Sequence, residues 1–123
     1  MTTILVVDNS HVNIELARSI FEPFGYEIIA AQNIQEGLGL ARTARPNLII
    51  SDVHMPGKDG FDFIRLVKDD PELRLIPFVF LSSTVWQDKD RIEGLALGAD
   101  KFIIRPIEPR DLLREVEACL NGV

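Results

Sequence analysis

Short, unbroken apolar runs alternate with longer amphipathic stretches along the whole chain. The runs are Ile4–Val7, Ile28–Ala31, Leu48–Ile50, Phe78–Leu81 and Phe102–Ile104. Continuous runs of this length, rich in β-branched and aromatic residues, fit strands buried on both faces of a parallel sheet. The intervening stretches follow helical spacing. Ile14, Ala17, Phe21 and Phe24 mark a first helix, with Ser10 as N-cap and Pro23-Phe24-Gly25 near its stop. Asn33 and Glu36 predict a capping box for a second helix carrying Ile34, Leu38 and Ala41, in which Gly37 and Gly39 each cost ~1 kcal/mol. Phe63, Leu66 and Val67 mark a third helix. Ile92, Leu95 and Ala96 mark a fourth, ended by Gly98. Pro109 opens a fifth, which carries Leu113, Val116 and Leu120 before Asn121-Gly122.

Five strands alternating with five helices predict an α/β fold, a doubly wound (βα)5 three-layer sandwich. Right-handed crossovers leave few topologies, and the order 2-1-3-4-5 puts the first and third strands at the switch point. A length of 123 residues suits a single domain spanning 1–123, with no repeat, low-complexity tract or linker.

Charge narrows the partners. Nineteen acidic against thirteen basic residues give a net charge of −6, which argues against nucleic acid or an anionic membrane as a direct partner. No apolar run approaches the ~20 residues that span a bilayer. The single cysteine, Cys119, allows no internal disulfide, suits a reducing cytoplasm and falls in an amphipathic pattern as core filler.

Open α/β sheets bind ligands beyond the carboxyl ends of their strands. Those ends are Asp8-Asn9, Ser51-Asp52, Ser82-Ser83-Thr84 and Arg105-Pro106, whereas the edge strand ends in the uncharged Ala31-Gln32. Strand ends often turn polar on reaching water, but acid and base together at a switch point indicate a site. Asp8, Asn9 and Asp52 offer hard oxygen ligands of the kind that suits Mg²⁺. A carboxylate can also act as a nucleophile and carry a phosphoryl group, whose oxygens then need a metal, a cation and a hydroxyl around them. Asp52, Mg²⁺, Arg105 and Ser82 would fill those roles.

Over essentially its whole length the chain resembles the CheY-like receiver domains of two-component response regulators, which have a flavodoxin-like sheet. The matching stretches are Ile4–Asn9, Ile50–Gly60, Phe80–Ser83, Gly98–Asp100 and Ile104–Pro106. The Asp52-x-x-Met55-Pro56-x-x-Asp59-Gly60 stretch is the most specific. The resemblance implies a phosphoacceptor signalling domain rather than an enzyme, with at most slow self-dephosphorylation. Asp52 would take a phosphoryl group from a histidine kinase or phosphotransfer protein. Mg²⁺ would be held by Asp8, Asn9, Asp52 and the His54 backbone carbonyl. Ser82 and Arg105 would meet the phosphoryl oxygens, with a cis bond before Pro106. The signal would leave through the fourth helix, fifth strand and fifth helix toward an output domain or protein.

Two positions depart from the family pattern. Asn9 stands where members usually have an acid, which predicts weaker Mg²⁺ binding. Arg105 stands where they have lysine, and a planar fork is not equivalent to a compact ammonium. The exchange reads either as covariation that retains a weakened chemistry, or as a site in which Arg105 holds Asp8 or Asp52 in a standing ion pair and phosphorylation is given up. The second case would make the domain a phosphorylation-independent interaction module. Phe102 occupies the family's switch aromatic position, or simply packs the fifth strand. Trp86 either marks a partner surface or tucks against the fourth helix. His54 either modulates hydrolysis beside Asp52 or simply faces solvent from its loop, and His11 reads as solvent-facing. An aspartyl-phosphate phosphatase would want an acid where His54 stands, and a flavin site would want a glycine-rich loop in place of Asn9–Asn13.

Overall fold

The computed structural model describes residues 1–55, 59–83 and 88–122. Trp86, and with it the question of whether it faces a partner or the fourth helix, lies outside the described residues. The five apolar runs are strands β1 (Thr3–Val7), β2 (Glu27–Ala31), β3 (Leu48–Ser51), β4 (Phe78–Ser82) and β5 (Lys101–Ile104). They form one parallel sheet in the order β2-β1-β3-β4-β5. The helices are α1 (His11–Phe21), α2 (Ile34–Ala44), α3 (Gly60–Asp69), α4 (Asp88–Ala96) and α5 (Pro109–Leu120). Among the described residues no helix is long and apolar enough to cross a membrane.

Alternation along each strand divides the core between the two faces. Leu5, Val7, Ile49, Phe78 and Phe80 join Ile34 and Ala41 of α2 and Phe63, Ile64 and Val67 of α3. Ile4, Val6, Ile50, Val79, Leu81 and Ile103 face the other way, onto Ile14, Ala17 and Phe21 of α1 and Leu112 and Val116 of α5. Cys119 is half-buried against this second cluster, as core filler should be. Leu113 and Leu120 flank the buried stripe of α5 rather than centre it.

Local signals set the helix starts. Ser10 caps α1 by accepting from Asn13 N–H at 3.3 Å. Asn33 accepts from Glu36 N–H at 2.8 Å, but the expected box is displaced: Glu36 accepts from the backbone N–H of Gln32, one residue before the cap. A complete box instead starts α3, where Asp59 and Asp62 each accept from the other's backbone N–H.

Two helix expectations need correction. Phe24 does not extend the buried face of α1. That helix ends at Phe21, and Phe24, in a 3-10 turn closed by Gly25 at φ 89°, is 64% exposed. The face of α4 is also rotated: Ile92 and Leu95 are 63% and 38% exposed, Ala96 is exposed, and Gly94 is the buried position. The rings of Phe80 and Phe102 fill the space beneath α4, and a Cβ on Gly94 would lie 3.0–3.2 Å from them. Only glycine brings the helix this close, and the helical pitch then turns Ile92 and Leu95 roughly 200° and 100° away from the contact.

Candidate functional site

Register brings the carboxyl ends of the central strands level. Val7 pairs with Ser51, Ser51 with Phe80, and Ser82 with Ile104. Asp52 N–H donates to the carbonyl of Val7 and Asp8 N–H to that of Ala31, both at 3.0 Å, so the two acids leave adjacent strands side by side. On the other side of the rim, Arg105 N–H donates to the Ser82 carbonyl at 2.8 Å, fixing the end of β5 against β4. The Arg105–Pro106 peptide is cis.

Asp8 is buried and heavily partnered. Its Oδ1 accepts from Ser10 N–H at 2.8 Å, and its Oδ2 accepts from Asn13 Nδ2 and Arg105 Nη2, each at 3.1 Å. The ion pair with Arg105 is shielded from water, with side-chain exposures of 2% for Asp8 and 18% for Arg105. The standing pair of Arg105 thus forms with the acid at the end of β1, not with Asp52.

Asp52 is half-buried, and its Oδ1 accepts from Val53 N–H at 2.7 Å. Burial, and then the neighbouring Asp8 carboxylate, push its carboxyl above the ordinary range; the Val53 N–H, Arg105 and the His54 N–H pull it back only in part. The backbone behind Asp52 is tight. Ser51 Oγ donates to the Asp52 carbonyl at 2.8 Å, and Gly60 packs so closely that a Cβ there would stand 2.3 Å from the same oxygen.

The remaining candidates fall around this centre. Asn9 is exposed at the tip of β1 and Ser82 is buried at the end of β4. His54 is exposed, with Nε2 3.6 Å from Asp90 Oδ2 on α4. Phe102 is half-buried with its ring centroid 5.6 Å from that of Phe80. His11 lies on the surface, 4.0 Å from Glu15. Two contributors carry no sequence signal of a site. Ser10 and Asn13 look like an ordinary helix start, yet together they supply two of the donors to Asp8. An apolar cavity of about 450 Å³ also opens between α1 and the start of α5, lined by Leu16, Ile20, Leu81 and Leu112, with Asn13 and Arg105 at its polar edge.

The groups expected from the sequence to hold a cation, the carboxylates of Asp8 and Asp52, the Asn9 amide and the His54 carbonyl, are oxygen donors and would suit a hard divalent ion. Among the described residues no group of three or more His, Cys, Asp or Glu side chains is placed to hold a metal ion.

Comparison with known proteins bears on the family and the fold. The family model described as response regulator receiver domain matches residues 4–117. Protein PilH of Pseudomonas aeruginosa is 32% identical over 122 residues, covering 99% of this chain and all of that protein. Response regulator PleD of Caulobacter vibrioides is 37% identical over 115 residues, which is 94% of this chain but only 25% of that protein. Among solved structures, chemotaxis response regulator CheY4 of Vibrio cholerae superposes with a TM-score of 0.89 at 31% identity, covering 97% of this chain and 98% of that one.

Proposed function

The chain belongs to the response regulator receiver family, whose members are signalling domains rather than conventional enzymes, and from that premise we propose that Asp52 accepts a phosphoryl group from a histidine kinase or a phosphotransfer protein. We read residues 1–123 as one such domain. The observation that carries the reading is the convergence of Asp8, Asp52, Ser82 and Arg105 at the carboxyl ends of β1, β3, β4 and β5, with Asp52 the half-exposed carboxyl at the switch point.

In the proposed step, a carboxylate oxygen of Asp52 forms the new P–O bond while the donor's P–N bond breaks, and the electron pair stays with the imidazole. The Val53 N–H orients the carboxylate. Ser82 ends β4 and Arg105 directly follows β5, the two strands beyond Asp52, and both would meet the phosphoryl oxygens. Members of the family generally bind Mg²⁺. Here Asp8, Asn9, Asp52 and the His54 carbonyl would hold it, less tightly than a site with a third acid. Bound there, it would neutralise charge on the transferred group.

Readout would follow the β5 side of the sheet. Phe102 packs between Phe80 and Gly94, so a shift at Ser82 or Arg105 would be felt directly under α4. The exposed Ile92 and Leu95 offer a surface there for an output domain or protein. The rival reading, a phosphorylation-independent module, also expects a standing Arg105–Asp8 pair; it is less well supported because that pair engages Asp8 and leaves Asp52 half-exposed. The deciding experiment is intact mass after treatment with a small-molecule phosphodonor and Mg²⁺, with Asp52→Asn as the control.

A further inference from the structure

Two carboxylates, Asp8 and Asp52, share the rim with the guanidinium of Arg105. That guanidinium is bonded to Asp8 at 3.1 Å in a pocket where neither partner is well solvated. A shielded pair of this kind is not weakened by salt as a surface pair is. A carboxylate offers about four lone-pair positions, and Ser10 N–H, Asn13 Nδ2 and Arg105 Nη2 already take three of those on Asp8.

We propose that Arg105 is an internal competitor of the cation: in the resting domain its guanidinium supplies Asp8 with the positive charge that a divalent ion would otherwise bring, and it is displaced when the ion binds. This rests on the reading of the rim as a cation and phosphoryl site. Charge balance sets the order of events. Two carboxylates with one guanidinium leave a single negative charge, and a divalent cation added on top leaves a positive surplus until a phosphoryl dianion arrives. Before transfer, Arg105 and the cation oppose each other at Asp8. After transfer both are needed, and the displaced guanidinium is free to turn to the phosphoryl oxygens. A planar fork that can change partners while staying charged suits this exchange. Asn9 fits the same logic, because an amide adds a ligand without adding charge for a second cation to balance.

The test is Mg²⁺ titration by calorimetry, without phosphodonor, on the whole chain and on Arg105→Gln. The variant is expected to bind Mg²⁺ about tenfold tighter, the scale of removing one close like charge. Affinities equal within about twofold, or weaker binding by the variant, would overturn the proposal. A second measurement needs no variant: the ¹⁵N guanidinium resonance of Arg105 in the native chain should move in step with Mg²⁺ saturation. A resonance that stays in place at saturation overturns the proposal. Absence of Mg²⁺ binding by both proteins also overturns it, while intact mass after phosphodonor treatment judges the phosphoacceptor reading separately.

Discussion

Asp52 stands beside Asp8 because β1 and β3 pair in register through Val7 and Ser51, with Asp52 N–H bonded to the Val7 carbonyl at 3.0 Å. The second carboxylate is, after burial, the main reason the Asp52 carboxyl sits above its ordinary range. The acid at the switch point is therefore held there at a cost to the fold.

That cost has a sign. A raised carboxyl holds its proton more tightly in the folded domain than in the unfolded chain. Its favourable contribution is present below the ordinary value of 3.8 and is lost as pH rises through the raised folded value. Asp52→Asn, which keeps an acceptor for Val53 N–H, should raise the melting temperature at pH 7. Solvent screens a half-exposed group, so a gain of a few degrees is expected, shrinking to nothing in acid. Thermal denaturation of both proteins across pH checks this, and no gain at neutral pH contradicts it.

The two glycines of α2 should behave differently. A Cβ on Gly39 would meet nothing within 4 Å, so Gly39→Ala should stabilise by about 0.5–1 kcal/mol. A Cβ on Gly37 would stand 2.8 Å from a Val7 methyl in the core, so Gly37→Ala should forfeit that gain. Urea denaturation midpoints compare them directly.

Tyr26 is the chain's single tyrosine, and its hydroxyl donates to Glu117 Oε2 at 2.7 Å, tying the start of β2 to α5. The hydrogen bond to Glu117, then burial, then the glutamate's charge push its pKa up to about 12. The neutral phenol's contribution to stability is thus intact below pH 10 and is lost as pH rises through 12. Titration of the tyrosinate absorbance should show that late midpoint, and Glu117→Gln should move it back toward the ordinary value. A native midpoint near 10 would mean the bond is not held in solution.

Much of this was legible in the sequence, for definite reasons. Strands buried on both faces leave continuous apolar runs, and Ser10 and Asn33 announce their helices because capping is a local interaction. The rim followed from strand order alone. What stayed hidden was non-local. The cationic partner of Asp8 lies 97 residues away, and no spacing rule says whether Arg105 reaches Asp8 or Asp52. The apolar pattern of α4 points to Ile92 and Leu95, but the bulk of Phe80 and Phe102 gives the contact to Gly94. Phe24 kept helical spacing after the helix itself had ended.

The rotated face of α4 has a consequence for stability. Ile92→Gln should change it by less than about 0.5 kcal/mol, as an exposed position does, whereas Leu112→Ala on α5 should cost about 2–5 kcal/mol. Chemical denaturation of both variants checks the contrast. A large loss at Ile92 would restore the orientation expected from the sequence.

The function of the rim turns on phosphorylation of Asp52, which intact mass spectrometry reads without an intermediary after incubation with a small-molecule phosphodonor and millimolar Mg²⁺. A mass increase of one phosphoryl group is expected on the native chain and none on Asp52→Asn. An unmodified native chain, or equal modification of both proteins, would contradict it.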